Sequence, residues 1–302
     1  QSQTESVMES ETAEETFADE KETESITEEE SVIEETAEEE SVLEESDQEE
    51  EFSLLEEDTK ADDGLIDSGT CGENVTWTLD NEGVLTISGT GAMTDYYDVN
   101  DCPWVSKYND IVSKVVIENG VTNIGDDTII FLSSLVSVEI PNSVTKIGKY
   151  AFRECPKLNV IDVAEENQNY ISVDGVLFDY EMATLISCPA AVRVRYVIPE
   201  GITTIVEYAF NSCRKMTEVD IPDSVLYIDA CAFEECYKLT DVEIPDSVIS
   251  IGLGAFSRCS SLTNIKIPES ITSMADCLFD TCTKLTSIEI PDSVTKIGSS
   301  AF

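Results

Sequence analysis

Histidine is absent from all 302 residues, and with it the side chain that most often serves as general base, nucleophile partner or zinc ligand near neutral pH. Serine is plentiful, but without histidine no serine triad can be assembled. Bases are scarce as well: 17 Lys plus Arg stand against 63 Asp plus Glu, a formal net charge of −46. A surface this acidic repels a phosphate backbone, which excludes nucleic acid as a partner. Long apolar runs are missing too. None approaches the roughly 18 residues that cross a bilayer, so no membrane insertion by this segment is expected. The glycine pairs Gly252/Gly254 and Gly89/Gly91 lack the dinucleotide fingerprint and its strand-to-helix setting. Nothing here predicts a cofactor or a catalytic centre.

The charge that is present is unevenly placed. Residues 1–63 hold 28 acids and two bases, in blocks such as Glu28-Glu29-Glu30-Ser31-Val32-Ile33-Glu34-Glu35 and, ten residues on, Glu38-Glu39-Glu40-Ser41-Val42-Leu43-Glu44-Glu45. A helix would rotate successive apolar pairs off one face by about 80° per repeat, so no lasting apolar stripe forms. With so little to bury, residues 1–66 read as a disordered acidic tail, acting either as a tether or as a recruiter of basic partners. The chain begins at Gln1 with no basic n-region or apolar h-region, the state expected of an extracellular or cell-surface protein whose signal peptide has been removed.

Internal repetition organises the rest. Ile198, Ile221, Ile244, Ile267 and Ile290, each followed by a Pro, recur every 23 residues, and the same step separates Ile117 from Ile140. One unit carries Ile244, Val248, Ile251, Ala255, Phe256, Cys259, Leu262 and Ile265, and its neighbours repeat that chemistry. Eight apolar positions cannot make a core alone, but stacked coil on coil they make one continuous apolar column, so the predicted fold is a repeat solenoid. Leu239 to Ile244 reads as a strand with Leu239, Val242 and Ile244 inward, ended by Pro245. Phe256 and Cys259 are spaced for one helical turn in the return.

The pattern Leu-x-x-Val-x-Ile-Pro-x-Ser-Val-x-x-Ile-Gly-x-x-Ala-Phe-x-x-Cys, running from about Ile117 to Phe302, resembles the BspA-like class of bacterial leucine-rich repeats. The resemblance implies a right-handed coil of short strands with short helical or 3-10 returns, and an adhesin-like surface protein. Under it, residues 67–116 are an amino-terminal cap built on a β-hairpin around Asp80-Asn81-Glu82-Gly83, and residues 117–302 are the repeats. An enlarged coil at 163–197 holds a second hairpin at Asp174-Gly175. Ala301-Phe302 stops in mid-coil, so the natural protein is expected to continue.

Because the inward positions are fixed, the outward ones follow. One column contains Glu139, Asp162, Asp220, Glu243, Lys266 and Glu289, flanked by Thr217, Thr240, Thr263 and Thr286; a second contains Glu200, Asp223, Asp246, Glu269 and Asp292. Like charges about 5 Å apart repel by about 0.8 kcal/mol even in water. The rows therefore suit solvent, a basic protein or glycan partner, or weakly held divalent cations, and Lys266 should pair with Glu243 or Glu289. Cys155, Cys213, Cys236, Cys259 and Cys282 share one offset and read as an inward ladder of free thiols, since neighbouring coils sit too far apart for the usual disulfide. Cys231 and Cys277 share another offset but lie two coils apart, too far for a zinc site. Cys71 and Cys102 are the disulfide candidates. The predicted function is a non-catalytic, exported or surface-displayed binding module for a protein or glycan. The alternatives are a recognition or spacer domain of a larger secreted enzyme, and a purely structural spacer.

Overall fold

The computed structural model describes residues 64–191 and 194–302; the acidic segment 1–63 lies outside the described residues. Three antiparallel strands come first: Leu65–Thr70, Val75–Asp80 and Val84–Gly89. Strand alternation turns Val75, Trp77, Leu79, Leu85 and Ile87 inward. At the hairpin turn the Asp80 carboxylate accepts the amides of Glu82 and Val84 at 3.0 and 2.8 Å, and Gly83 takes φ 81°. The hairpin cap expected from residues 71–89 thus gains a third strand, which begins at Leu65 inside the segment assigned to the tail. Leu65 and Ile66 are both exposed, so no alternation marks this strand and backbone pairing holds it. The one helix among the described residues, Pro103–Tyr108, buries Trp104, whose indole N–H donates to the Thr128 carbonyl at 2.7 Å.

From Val84–Gly89 onward the neighbours are parallel: Lys114–Ile117, Ser137–Ile140 and Val160–Val163 continue the same sheet. A second four-stranded sheet repeats this wall later, with Arg195–Val197, Glu218–Asp220, Asp241–Glu243 and Asn264–Lys266. After Ser137–Ile140, Glu218–Asp220 and Asp241–Glu243, Pro-x-Ser-Val makes a turn, as in Pro245 C=O accepting Val248 N–H at 3.1 Å. A two-residue strand such as Ser250–Ile251 and then a return complete the coil. The strand foreseen over Leu239 to Ile244 is only Asp241–Glu243, because Leu239 and Val242 are three apart and Thr240 and Asp241 between them are both exposed.

Among the described residues the returns are successive turns, not continuous helices, with alternate amides closing 3-10-type bonds, as in Asn211 N–H to Tyr208 C=O at 3.0 Å and Cys213 N–H to Phe210 C=O at 3.2 Å. In each, two residues four apart sit in the left-handed region: Tyr150 and Glu154, Tyr208 and Ser212, Cys231 and Glu235, Gly254 and Arg258, Cys277 and Thr281, all with φ between 52° and 62°. Such residues interrupt any continuous helix. They let the other amides reach sideways to the next coil, as in Cys231 N–H to Leu253 C=O at 2.8 Å, Phe233 to Ala255 at 2.8 Å and Glu235 to Ser257 at 3.1 Å.

Within the stack Phe210, Phe233, Phe256 and Phe279 are fully buried and lie nearly parallel, with centroids 4.8, 5.2 and 5.8 Å apart. The single apolar column predicted from the period is, however, two cores. The enlarged coil builds Tyr170–Val173, Val176–Asp179 and Thr184–Ser187 into an antiparallel meander, with Asp174 (φ 52°) and Gly175 (φ 81°) as its two-residue turn. Within Val176–Asp179, Leu177 belongs to the amino-terminal core and Val176 and Phe178 to the carboxy-terminal one. Strand alternation makes one short strand a wall between the two. Gly175 packs so tightly that a Cβ there would meet Val160 Cγ2 at 3.1 Å.

Replacing one ring removes contacts on both neighbouring coils at once. Phe256→Ala is expected to destabilise the folded chain by about 3–5 kcal/mol, read from urea unfolding; a loss near zero would mean the rings do not carry the stacking.

Candidate functional site

The strand wall positions the predicted face. Glu139 and Asp162 are neighbours across one sheet, and Asp220, Glu243 and Lys266 lie on the other. The column is therefore interrupted between Asp162 and Asp220, where the enlarged coil breaks the ladder; Val197, 60% exposed, occupies the outward position beside Asp220. Glu289 and Thr286 are exposed but lie outside any strand.

Lys114, Arg195 and Lys266 relieve the repulsion foreseen along the column. Lys114 Nζ lies 2.6 Å from Glu139. Arg195 lies 2.6 Å from Asp220 and 3.6 Å from Glu218. Lys266 reaches Asp246 of the second column at 3.8 Å, rather than Glu243 or Glu289. All these side chains are well exposed, so each pair contributes at most about 1 kcal/mol. A further outward column, Arg195, Glu218, Asp241 and Asn264, was missed. Its signal was present in the alternation: residues two before the marked carboxylates face the same way.

Both acidic columns meet in one depression of about 650 Å³, lined by Asp220, Asp223, Glu243, Asp246 and Lys266 with Ile221, Ile244 and Pro245. The turn after each strand brings its second carboxylate back towards the first, and the 23-residue step repeats that geometry. Four carboxylates and one ammonium around an apolar floor make a surface for a cationic partner group. The threonines are differently employed. Thr217, Thr240 and Thr263 donate their hydroxyls to Val194, Thr217 and Thr240 carbonyls at 3.1, 3.2 and 3.0 Å. They stitch coil to coil, leaving lone pairs rather than protons for a ligand.

The cysteines of the ladder are all buried free thiols. Each also does a donor's task that packing alone would not require: Cys236, Cys259 and Cys282 give S–H to the carbonyls of Phe210, Phe233 and Phe256 at 3.2, 3.2 and 3.1 Å. Cys155 and Cys213 do the same to Ile129 and Cys188 at 3.3 and 3.6 Å. Burial pushes Cys155 and Cys282 up to about 12. Cys71 and Cys102, weighed as a disulfide pair, are likewise buried and free, as is Cys231, while Cys277 is half-buried. Among the described residues no three Cys, Asp or Glu side chains converge on a point that would hold a metal ion. No helix there is long and apolar enough to cross a membrane.

The coils match the BspA type leucine rich repeat region in six copies, over residues 107–194 and 188–302. Similar solved structures include a leucine-rich repeat protein from Eubacterium ventriosum, 21% identical over 77% of this chain and 85% of that one, with a TM-score of 0.44. A leucine rich cell surface protein from Faecalibacterium prausnitzii is 21% identical over 78% and 86%, with a TM-score of 0.42. The T. pallidum leucine rich repeat protein is 24% identical over 76% and 85%, with a TM-score of 0.36. No curated protein matches the chain.

Two measurements follow from the buried groups. In native protein at about pH 8, a water-soluble disulfide reagent should label Cys277 first and reach the ladder thiols only on unfolding; fast native labelling of Cys236 or Cys259 would contradict the burial. Burial also raises the carboxyls of Asp127, Asp229 and Glu234 above the ordinary range. For such acids the folded state is penalised while they are charged, and the penalty lifts as pH falls through the raised value. Together with a falling net charge, this predicts a higher Tm at about pH 5 than at pH 8; a monotonic loss of Tm over that range would refute it.

Proposed function

Because the chain belongs to the BspA type leucine rich repeat family, we propose that it is a non-catalytic binding module, working outside the cell or on its surface. Its outer strand face, centred on the depression at Asp220, Asp223, Glu243, Asp246 and Lys266, would be the contact surface for a protein or glycan partner carrying cationic groups. The family is one of repeat modules that bind protein partners, which supports the coarse role. The face adds the chemistry. The observation that carries the reading is the convergence of two carboxylate columns on one concavity over an apolar floor. Salt bridges within the face satisfy only part of the charge, so the surplus carboxylates remain for a partner's bases.

Adhesion is the physiological form of this role that the family resemblance suggests. Rigid coils supply a pre-formed surface, so little ordering is needed on contact. Carboxylates on such a face act mainly on the rate of encounter and on salt dependence.

The test is surface plasmon resonance of the protein over immobilised extracellular matrix proteins and a glycan array, at low and high salt, with and without calcium. Binding should weaken with salt, and the triple variant Asp220→Asn, Glu243→Gln, Asp246→Asn should lower the association rate about tenfold. Silence of the unaltered protein on every surface, or binding that ignores the triple variant, would count against this face.

A further inference from the structure

Every neighbouring pair of returns but one is joined by backbone hydrogen bonds at a fixed offset of 22 residues. The amides of Asp127, Ile129 and Phe131 reach the carbonyls of Lys149, Ala151 and Arg153, and those of Tyr208, Phe210 and Ser212 reach Ala230, Ala232 and Glu234. Between residues 148–154 and residues 206–212 this ladder is missing. The enlarged coil spends its length on the meander and carries a shortened return, in which only Cys188 lies in register, giving its N–H to Ala209 C=O at 2.7 Å. At one end the gap is closed by side chains: Asn211 Oδ1 accepts Glu154 N–H at 3.3 Å, and Ser212 Oγ donates to Glu154 at 3.0 Å. Further along, the Tyr150 and Phe152 amides meet no acceptor, and the Glu207 carbonyl meets no donor, among the described residues.

These groups line a cleft of about 360 Å³. Partly buried Ile147, Ile186 and Val206 form an apolar floor, and Tyr150, Tyr170 and Tyr208 form the rim. Tyr150 and Tyr208 pack edge-on at 5.1 Å. Arg153 is wedged between rings, its guanidinium carbon 5.3, 5.8 and 5.2 Å from the centroids of Phe131, Tyr150 and Tyr208. Rings hold the guanidinium in place without using its hydrogens. Among the described residues no carboxylate lies within ion-pair distance of it, although its charge acts on Asp127, and its Nε is buried without an acceptor. Lys149 lines the same cleft. Of the two carboxylates there, Glu207 accepts the Tyr150 hydroxyl at 3.3 Å, and burial raises Asp229.

An interrupted parallel ladder with free donors on one lip and a free acceptor on the other has the chemistry that adds an extended chain to a sheet. A strand needs about 4.8 Å on each side. We propose that this cleft is a peptide-binding site for a short extended segment of a partner protein, bearing an apolar residue and a carboxylate. Its carbonyls take the Tyr150 and Phe152 amides, and its own amide reaches Glu207. Its apolar side chain lies on Ile147, Ile186 and Val206, and its carboxylate pairs with Arg153. The site is on the return wall, apart from the acidic outer face, and selects the opposite charge.

The experiment titrates the full chain with fluorescein-labelled acetyl-(Val-Glu)3-amide, followed by anisotropy, beside acetyl-(Val-Lys)3-amide, an N-methylated (Val-Glu)3 and glucuronic acid as probes. The acidic peptide should bind. Changing the probe to the lysine peptide, methylating its backbone, or making Arg153→Gln should each weaken binding about tenfold or more. Glu207→Gln, which keeps the backbone carbonyl, should tighten it. Amide exchange at Tyr150 and Phe152 should slow on saturation. If Arg153→Gln melts early, the methylated probe and Glu207→Gln carry the test on folded protein. No binding of the acidic peptide at millimolar concentration, equal binding of the methylated or lysine peptide, or competition by glucuronic acid at equal strength would overturn the proposal, the last in favour of a saccharide site.

Discussion

Between one coil and the next, amides meet carbonyls about one repeat further along, and this registry governs everything else in the molecule. It runs through the strand wall, where Asp241 faces Asn264 and Glu243 faces Lys266, and through the returns, where Phe233 N–H meets Ala255 C=O. Once the backbone is in register, equivalent side chains are too. Phenylalanines stack, thiols find the same carbonyl in each coil, and Ser224, Ser247 and Ser293 each donate to the preceding coil at 2.8 to 2.9 Å. A single such bond contributes about 1 kcal/mol net, but its repetition makes register slippage cost many at once.

The period was legible in the sequence because the inward positions admit so few residue types. Ile251, Phe256, Cys259 and Leu262 are all fully or nearly fully buried, as their recurrence every 23 residues implied. Breaks in the period were harder to see. The spacing of Phe256 and Cys259 fits a helical turn, yet left-handed residues at Gly254 and Arg258 set the return's course. Only Gly254 hints at this, since Tyr150, Tyr208, Cys231 and Cys277 occupy the same place without glycine. The divided core was equally hidden. It depends on which face of Val176–Asp179 meets which coil, and that is a matter of docking, not of alternation.

The candidate face shows the same division. Alternation told which carboxylates point outward, but not that two columns would share a depression, nor that Arg195 would sit on Asp220 and Glu218. Those are cross-coil relations. Thr217, Thr240 and Thr263, chosen as outward hydroxyls, proved to be intercoil donors, because their hydrogens have a carbonyl within reach in every coil. The buried cysteines do more than pack as small apolar groups, since their S–H groups donate to carbonyls of neighbouring coils. A thiol that gives its hydrogen to a buried carbonyl and is pushed towards 12 by burial stays unreactive.

A repeat solenoid offers little variety of its own, since each coil contacts only its neighbours and must satisfy the same ladder. Departures from the repeat are therefore where distinctive chemistry arises. The meander at 170–187 keeps one sheet continuous by pairing Thr184–Ser187 with Thr204–Ile205, and gives up a full return to do so. On the strand wall the result is an interrupted column and an exposed Val197; on the return wall it is a cleft whose Tyr150 and Phe152 amides and Arg153 guanidinium find no partner among the described residues. The acidic face and the cleft then differ in origin: one is repetition summed over coils, the other a single omission. A substitution in one repeat shifts the first only in proportion. A change in the enlarged coil alters the second outright, which makes that coil the place where relatives with the same repeats are expected to differ in what they bind.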